Sequence, residues 1–338
     1  MDKVIYIRVD GNNFIGYGHV FRCLSLAEMI YEICDPVFVL QNSTDFIVSQ
    51  IKNSNFQIIQ IPHFDNLVSE AEYLNLNVYD DGCTVILDGY QYTSEYQKEL
   101  KLKNKFLICI DDLHQIHFYA DVIINQAESV NKDEYSIESY TKVCTGYQWV
   151  LQRKAFREIV KKKCEKSNFN TAFFTLGGAY VRGIASNIFA ALDEFETIIF
   201  LKGNEELFSD EIKPVVKKNP KIKVFEKLDA NEMVNLIKQS DVAVCPASVV
   251  ALEACAVGVL LFTGITADNQ RGNYKGLINT GVAIALGDLR TKEIAGIKEI
   301  ITENSTKNIY ENVLQKQNEL FDGKSKERYI DLIKNGKC

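Results

Sequence analysis

The chain lacks several sequence signatures that mark common cofactor and metal chemistry. It contains no G-x-x-x-x-G-K-[ST] loop and no D-x-D, and no G-x-G-x-x-G follows its first predicted strand. Its four histidines include one close pair, His114 and His117, next to Asp111-Asp112, but no convincing third ligand accompanies them. These absences exclude P-loop chemistry and argue against dinucleotide binding and a metal-held sugar diphosphate. We therefore expect neither a metal nor another cofactor.

Long apolar runs and a strong charge of one sign are also missing. The longest apolar run, 254–262, is far too short to span a bilayer. The net charge of −7 gives no reason to expect binding to nucleic acid or to an anionic membrane. The nine cysteines form no C-x-x-C pair and lie mostly inside apolar runs, which favours reduced, buried thiols. Because a predicted strand begins almost at once, we expect no signal peptide and therefore a cytoplasmic protein. We also expect a monomer or weak homo-oligomer that binds a small-molecule substrate.

Short β-branched runs alternate with longer amphipathic segments along the whole chain. This alternation is typical of parallel sheets with helices on both faces. The 338 residues suffice for two domains. We predict α/β architecture with two tandem doubly wound, Rossmann-like domains, 1–160 and 168–325, a cleft between them, and a C-terminal helix, 326–338, that can pack back across the junction. The predicted strands are 4–7, 37–40, 58–61, 84–87, 106–110 and 122–124, then 171–176, 197–201, 222–225, 242–245, 260–262 and 282–285.

The segment Gly16-Tyr17-Gly18-His19 lies between the first predicted strand and an amphipathic helix. Its two glycines let the backbone turn tightly and approach a ligand. The N-terminus of a helix presents N–H groups that favour an anion, and an imidazole placed there can act as a base near pH 7. On these residues alone, a glycine turn with an incidental exposed histidine is an equally good interpretation.

Two segments of the second half have features of a nucleotide site. Leu176-Gly177-Gly178-Ala179 joins a predicted strand to a helix, so its N–H groups could reach a phosphate, although a simple tight turn is the commoner reason for two glycines there. Ala247-Ser248-Val249-Val250 opens another helix, and Glu253 could accept both hydroxyls of a ribose. Asp268 and Asn269 follow the next predicted strand. We predict a nucleotide diphosphate on this domain, with the sugar facing the first domain.

These motifs occur in a fixed order along the chain. The first half carries Arg8-Val9-Asp10, then Ile15-Gly16-Tyr17-Gly18-His19, Arg22-Cys23-Leu24, Asp88-Gly89-Tyr90-Gln91 and Asp111-Asp112. The second half carries Gly177-Gly178, Ser248 to Glu253 and Asp268-Asn269-Gln270. Together they resemble the UDP-sugar hydrolase family of pseudaminic acid biosynthesis, which is related to the two-domain enzymes of glycosyltransferase-B fold.

The resemblance implies a metal-independent hydrolase that releases UDP from a UDP-linked 2,4-diacetamido-2,4,6-trideoxy hexose. In the family, water attacks C1 with inversion, and the catalytic histidine and loop tyrosine correspond to His19 and Tyr90. The positions implied for substrate binding are Arg8, Asp10, Gly16, Tyr17, Gly18, Arg22 and Asp88. Those implied for nucleotide binding are Gly177, Gly178, Ser248, Val249, Glu253, Asp268 and Asn269.

The chain departs from the family pattern at three places, one of which is Pro246-Ala247 before Ser248, where many members of the family carry glycines. Gly89 stands where the family has a histidine, and the acid of the family's G-G-x-D-P is absent because Tyr180 occupies its place. These departures leave the identity of the sugar open. A metal-independent inverting glycosyltransferase of the same fold, with His19 deprotonating an acceptor hydroxyl, is the alternative enzyme, and a binding protein without activity is a third possibility.

Overall fold

The protein is described by a computed structural model that covers residues 3–12, 14–159, 168–177, 183–203, 212–291 and 293–336. The chain divides into two compact units. Unit 1 comprises Met1–Arg153 and Lys324–Cys338, and unit 2 comprises Lys154–Gly323. The chain therefore leaves unit 1 once and later returns to it. Within the ranges just given, none of the helices has the length and apolar character needed to cross a membrane.

Unit 1 is built on a parallel seven-stranded sheet. Its first elements are β1 (Lys3–Val9), α1 (Gly18–Ile30), β2 (Cys34–Leu40), α2 (Asp45–Asn53), β3 (Gln57–Gln60), α3 (Leu67–Asn77) and β4 (Thr84–Asp88). They are followed by α4 (Ser94–Lys101), β5 (Phe106–Ile110), β6 (His117–Phe118), β7 (Val122–Asn125), β8 (Ser136–Ile137) and β9 (Lys142–Thr145). The strand order in the sheet is β3-β2-β1-β4-β5-β7-β9, and β6 and β8 pair with each other.

Apolar side chains cover both faces of this sheet. Alternate residues of a strand point to opposite faces, so Ile5 and Ile7 of β1 enter one core, which includes Val20 of α1, whereas Tyr6 enters the other. The second core includes Leu74 of α3 and other residues of α3 and α4. The central strands are buried along nearly their whole length, which is typical of a parallel sheet between two helix layers.

Unit 2 is built on a parallel six-stranded sheet, in the order β12-β11-β10-β13-β14-β15. Its elements are α5 (Lys154–Arg157), β10 (Thr171–Thr175), α6 (Ile184–Ala191), β11 (Thr197–Leu201), α7 (Ile212–Lys218), β12 (Ile222–Phe225), α8 (Ala230–Gln239), β13 (Val242–Pro246), α9 (Val249–Val257), β14 (Leu260–Ile265), α10 (Arg271–Asn279), β15 (Ile284–Asp288), α11 (Ile294–Asn304) and α12 (Lys307–Leu320). A core on one face joins this sheet to α6, α11 and α12.

The helix α13 (Ser325–Asn335) completes unit 1 by packing on α1. Its residues Tyr329, Leu332 and Ile333 belong to the same core as the buried residues of α1. The hydroxyl of Tyr329 donates to the backbone oxygen of Trp149 at 2.5 Å, and the two rings meet edge to face at 5.4 Å. The second segment of unit 1 thus contributes part of the core behind α1.

The fold class predicted from the sequence, α/β with two doubly wound parallel sheets, is confirmed. Three strands, β6, β8 and β9, were not predicted, and other strands differ from their predicted bounds; β2, for example, begins at Cys34 and not at residue 37. The edge strand β9 was not predicted because its residues are mostly half-exposed, and β15 begins two residues later than the predicted 282–285. In the part of the chain that the structure describes, Cys144 is disulfide-bonded, so the expectation of reduced thiols is wrong at that position. The other described cysteines are buried and form no disulfide: Cys23, Cys34, Cys83, Cys109, Cys245 and Cys255.

Candidate functional site

The sheet of unit 1 changes winding direction between β1 and β4. These two strands are neighbours, and their register pairs Val9 with Asp88, the last residue of β4. Open α/β sheets bind ligands at such a switch point, outside the carboxyl ends of the strands. The loop after β1 leads into α1, so His19 lies in the first turn of a helix at this point.

His19 and Asp88 form a hydrogen-bonded pair there. Nδ1 of His19 lies 2.7 Å from Oδ1 of Asp88, and both side chains are buried. Burial raises the pKa of Asp88, but the Arg22 guanidinium and His19 outweigh that effect and hold the pKa well below its usual range. Nη2 of Arg22 also lies 3.1 Å from Nδ1, but it donates to Oδ1 of Asp88 at the shorter distance of 2.6 Å. An ionised carboxylate only accepts, so the shorter contact of Nδ1 with Asp88 assigns the proton of a neutral imidazole to Nδ1 and leaves Nε2 as an acceptor.

Arg22, one turn further along α1, connects two carboxylates. Its Nε and Nη2 donate to the two oxygens of Asp88 at 2.6 Å each, and its Nη1 donates to both oxygens of Asp112 at 2.8 and 2.9 Å. Burial lowers the pKa of Arg22, but Asp112 and Asp88 keep it well above its ordinary value. The guanidinium therefore stays charged and fixes the orientation of Asp88. Substrate contact by Arg22 and Asp88, which is expected from the sequence, stays a prediction.

The loop after β4 brings Tyr90 against His19. The two ring centroids are 4.7 Å apart and the rings are nearly perpendicular, at 84°. The Tyr90 hydroxyl donates to Oδ2 of Asp112 at 3.3 Å, and 49% of the residue is exposed. Tyr90 is thus oriented by Asp112 and open to a ligand beside the imidazole. The sequence prediction gave Asp112 no role, although its position directly after β5 was a usable signal.

The loop between β1 and α1 is shaped by Asn12 and Gly16. The N–H of Gly16 donates to the Asn12 backbone oxygen at 2.8 Å, and Gly16 has a φ of 84°, which lies in the left-handed region that favours glycine. Tyr17 then caps the N-terminus of α1 and Gly18 is its first residue. Gly18 is exposed and a Cβ there would meet no other atom within 4 Å, so space beside the N-terminus of the helix is open.

Arg8 and Asp10 lie deeper, in a buried ion-pair cluster. Arg8 donates from Nε and Nη2 to the two oxygens of Glu70 at 2.7 and 3.1 Å, and from Nη1 to Asp10 at 2.6 Å. The Tyr96 hydroxyl donates to Glu70 at 2.8 Å. Arg8, Asp10 and Glu70 are each at most 3% exposed. Charges so well paired with each other are not presented to a substrate in this conformation.

Asp10 also organises the neighbouring loop. Its Oδ1 accepts from the backbone N–H groups of Gln41 and Asn42, at 2.8 Å each, and from the hydroxyl of Ser43 at 3.1 Å. The loops after β1 and β2 are thereby held together behind the site. This arrangement gives Arg8 and Asp10 a structural reason for their positions, whereas the sequence predicted that they bind substrate.

Four of the predicted nucleotide residues, Gly177, Ser248, Val249 and Glu253, follow β10 or β13, the two strands between which the sheet of unit 2 changes winding direction. Gly177 follows β10 with a φ of 64°, and its N–H donates to Oγ1 of Thr175 at 3.1 Å. Ser248 precedes α9, whose N-terminus it caps without a side-chain bond, and Val249, the first residue of α9, is partly exposed. Glu253 lies on the same helix and is 2% exposed. Gly178 lies outside the described residues.

Asp268 and Asn269 are exposed just after β14. Asp268 belongs to a cluster with Arg271, Arg290 and Asp288, in which Arg290 bonds Asp268 at 3.0 Å and Asp288 at 2.6 Å. Hydrogen bonds from Arg290 lower the pKa of Asp288 to about 2, and those from Arg290 and Arg271 lower the pKa of Asp268. Two guanidinium groups therefore stand at the carboxyl edge of this sheet, and the sequence prediction included neither.

The pair His114 and His117 bonds to protein groups. His117 lies 2.9 Å from the Ser136 hydroxyl and 3.1 Å from a carboxylate oxygen of Glu138, and His114 lies 3.7 Å from Glu134. In the described part of the chain, no group of three or more His, Cys, Asp or Glu side chains is arranged to hold a metal ion.

The fold and the two switch points define a two-domain α/β protein with Rossmann-like halves. No protein-family model matches the chain. It is 23% identical over 285 residues to an uncharacterised protein of Methanocaldococcus jannaschii, with 80% of this chain and 57% of that protein covered, so it spans little more than half of that relative. It is 22% identical to the spore coat polysaccharide biosynthesis protein SpsG of Bacillus subtilis, with 83% of each chain covered.

A third relative is the UDP-2,4-diacetamido-2,4,6-trideoxy-beta-L-altropyranose hydrolase of Campylobacter jejuni, 21% identical, with 75% of this chain and 87% of that enzyme covered. Among solved structures, MurG of Acinetobacter baumannii superposes with a TM-score of 0.69 at 15% identity, covering 98% of this chain and 99% of MurG. MnaA of S. aureus with UDP gives 0.65 at 15% identity, covering 98% and 96%. The chain therefore has the glycosyltransferase-B type of fold.

Proposed function

We propose that this protein is an enzyme that hydrolyses a nucleotide sugar, releasing UDP from a 2,4-diacetamido-2,4,6-trideoxy hexose. The observation that carries the proposal is the buried Asp88 bonded to Nδ1 of His19 at a switch point, which leaves Nε2 as an acceptor. The similarity to the Campylobacter jejuni hydrolase supports the substrate. We further propose that the reaction serves the synthesis of pseudaminic acid or a related surface glycan, as the resemblance implies.

In the proposed reaction, Nε2 of His19 removes a proton from water while the water oxygen bonds to C1 of the sugar. The bond between C1 and the phosphate oxygen breaks, and the electron pair leaves with UDP. Asp88 stabilises the imidazolium that forms, as the orienting carboxylate of a catalytic triad does. His19 then loses the proton to solvent. A single base on the face opposite the leaving group leads to inversion at C1.

We propose that unit 2 holds the nucleotide. The N-terminus of α9 offers N–H groups to a phosphate, and among the described residues none bonds the Ser248 hydroxyl. Glu253 is a buried acid on an otherwise apolar helix, one turn beyond the N-terminus of α9, and we propose that its carboxylate accepts the ribose hydroxyls, as the resemblance implies. UDP leaves as a stable anion, so donors and helix dipoles can replace a general acid.

Release of UDP without an acceptor tests the proposed reaction. We expect stoichiometric UDP and free sugar when the full chain is incubated with UDP-2,4-diacetamido-2,4,6-trideoxyaltrose in buffer, followed by mass spectrometry of both products. The competing hypothesis is a metal-independent inverting glycosyltransferase of the same fold, and the structural neighbours include a calicheamicin glycosyltransferase. UDP release that requires an added acceptor would show that the protein is a transferase and not a hydrolase. Binding of the nucleotide sugar without any release of UDP would indicate a binding protein without activity.

Glu253→Gln is expected to raise the Kd for UDP by about 10- to 100-fold, because a neutral amide replaces a charge-assisted acceptor for the ribose. Isothermal titration calorimetry with UDP measures the change. Glu299→Gln, an exposed glutamate on α11, is the matched control and should leave the Kd unchanged. Equal Kd values for both variants would remove Glu253 from the nucleotide site.

A further inference from the structure

A small cavity opens beside the His19 site in unit 1. Its volume is about 70 Å³, and its wall includes the apolar side chains of Leu87, Ile110, Ile116 and Phe118. A single water needs about 10–15 Å³ of such space, so the cavity has room for roughly five to seven groups of that size. It is too small for a second sugar ring.

One carboxylate faces this apolar wall. Asp111 lines the cavity, and its Oδ2 accepts from the N–H groups of Leu113 and His114 and from the Tyr135 hydroxyl, at 3.1, 2.7 and 2.9 Å. In the described part of the chain, no donor reaches Oδ1. Three bonds therefore fix the carboxylate and leave one oxygen to meet a donor. Burial raises the pKa of Asp111, with the three bonds acting in the opposite direction.

The cavity is continuous with the proposed catalytic residues. Tyr90 lines it and also stands edge to face with His19 at 4.7 Å. Asp111 is followed directly by Asp112, which binds Arg22 and the Tyr90 hydroxyl. A sugar placed with C1 near His19 would therefore have substituents within reach of the cavity.

We propose that this cavity is the subsite for an N-acetyl group of the substrate, with Asp111 accepting the amide N–H and the apolar wall receiving the methyl. An acetamido group has four heavy atoms, one N–H donor and one methyl, and so matches the size, the acceptor Oδ1 and the apolar surface that the cavity offers. A hydroxyl would leave the apolar wall empty, and a longer acyl chain would crowd that wall. The inference rests on the proposed function for the identity of the substrate and adds the residues that select it.

The size of the subsite is tested by enlarging the cavity in one variant and the acyl group of the substrate in one analogue. Ile116→Ala opens the wall, and the probes are UDP-2,4-diacetamido-2,4,6-trideoxyaltrose and its N-propionyl analogue. One extra methylene in a fitted pocket changes kcat/KM by about 10- to 200-fold, so the wild-type chain is expected to discriminate against the analogue to that degree. The variant should reduce the discrimination by at least tenfold. Leu102→Ala, an exposed leucine elsewhere in unit 1, is the control and should keep the wild-type ratio.

The donor contact is tested by Asp111→Asn, which keeps the shape and turns an amide N–H₂ toward the ligand. We expect kcat/KM for the N-acetyl substrate to fall by about 10- to 100-fold, with little change for the analogue carrying hydroxyls in place of the acetamido groups. Asp65→Asn, exposed on the surface of unit 1, should change neither. Thermal unfolding of each variant checks that the fold is retained.

A binding measurement separates this inference from the proposed reaction. In a His19→Ala background, calorimetry gives the Kd of the intact N-acetyl and N-propionyl nucleotides, with and without Ile116→Ala. Absence of UDP release by the wild-type chain would overturn the proposed hydrolysis. The subsite would still be supported if Ile116→Ala lowered the ratio of the Kd for the N-propionyl nucleotide to that for the N-acetyl nucleotide. A Kd ratio and a kcat/KM ratio that both stay the same in Ile116→Ala and Asp111→Asn would overturn the subsite, whatever the reaction.

Discussion

Replacing His19 by alanine is expected to lower the rate of UDP release by about 10²- to 10⁴-fold, the range that a general base contributes. The side chain is bonded to Asp88 through Nδ1, so the base that is lost is Nε2. The Kd for UDP should change little, because the nucleotide residues proposed above lie in unit 2. Steady-state release of UDP at saturating nucleotide sugar and calorimetry with UDP measure the two quantities.

Two further variants test whether the loss of rate is specific to His19 and its partner Asp88. His63→Ala removes an exposed histidine of the same unit, paired only with the exposed Asp65, and should keep the wild-type rate. Asp88→Asn keeps the size of the carboxyl group but removes the charge that stabilises the imidazolium, so a large loss of kcat is expected there as well. A wild-type rate in His19→Ala would show that another group activates the water and would remove His19 from the mechanism.

Arg8→Met is expected to destabilise the protein by about 3–5 kcal/mol, although Arg8 lies near the candidate site. The substitution leaves the Glu70 carboxylate with no exposed surface and with the Tyr96 hydroxyl as its remaining described hydrogen-bond donor. An unpaired buried charge is costly, because water no longer solvates it. Urea unfolding of the full chain, followed by tryptophan fluorescence, measures the loss, since Trp149 lies in unit 1.

The double variant Arg8→Met/Glu70→Leu distinguishes charge from packing. Replacing both partners of a buried pair by apolar groups is often nearly neutral, so the double variant should recover much of the stability lost in Arg8→Met. Lys326→Met breaks the exposed pair with Glu32, at 2.8 Å, and should cost less than about 1 kcal/mol. A loss in Arg8→Met no larger than that in Lys326→Met would contradict the buried cluster.

Much of the fold can be predicted because each buried strand carries its own signal. β4 and β5 are uninterrupted apolar runs, and such runs separated by amphipathic segments indicate a parallel sheet without reference to distant residues. β9 gives no such signal, because it lies at the edge of the sheet and has only one fully buried residue. The sequence predicts a C-terminal helix that can pack back across the junction, but local periodicity does not encode which residues α13 contacts, since those of α1 lie about 300 positions earlier.

Some residues of the candidate site could be expected to lie close together from the sheet topology alone. The carboxyl ends of parallel strands share one edge, so His19, Asp88 and Tyr90 could be expected near each other, and the structure places them in contact. Their chemical roles stay predictions. The partners of buried charges were not predictable in this way, since Arg8 meets Glu70 across 62 positions and the pairing depends on the orientation of α3. The sequence prediction therefore included Arg8 and omitted Glu70.

The return of α13 to unit 1 bears on how the enzyme acquires its activity during synthesis. A ribosome completes all of unit 2 before α13 is made, so α1 must wait for the residues that cover it. Tyr329 of that late segment is fully buried, and its hydroxyl experiences the charges of Arg22 and Asp88, the groups that orient His19. A nascent chain that has folded its first sheet thus still lacks α13, which packs on the helix that carries the proposed base, His19. If the proposed function holds, the order of synthesis delays hydrolysis until unit 2, the proposed site of the nucleotide, has been made.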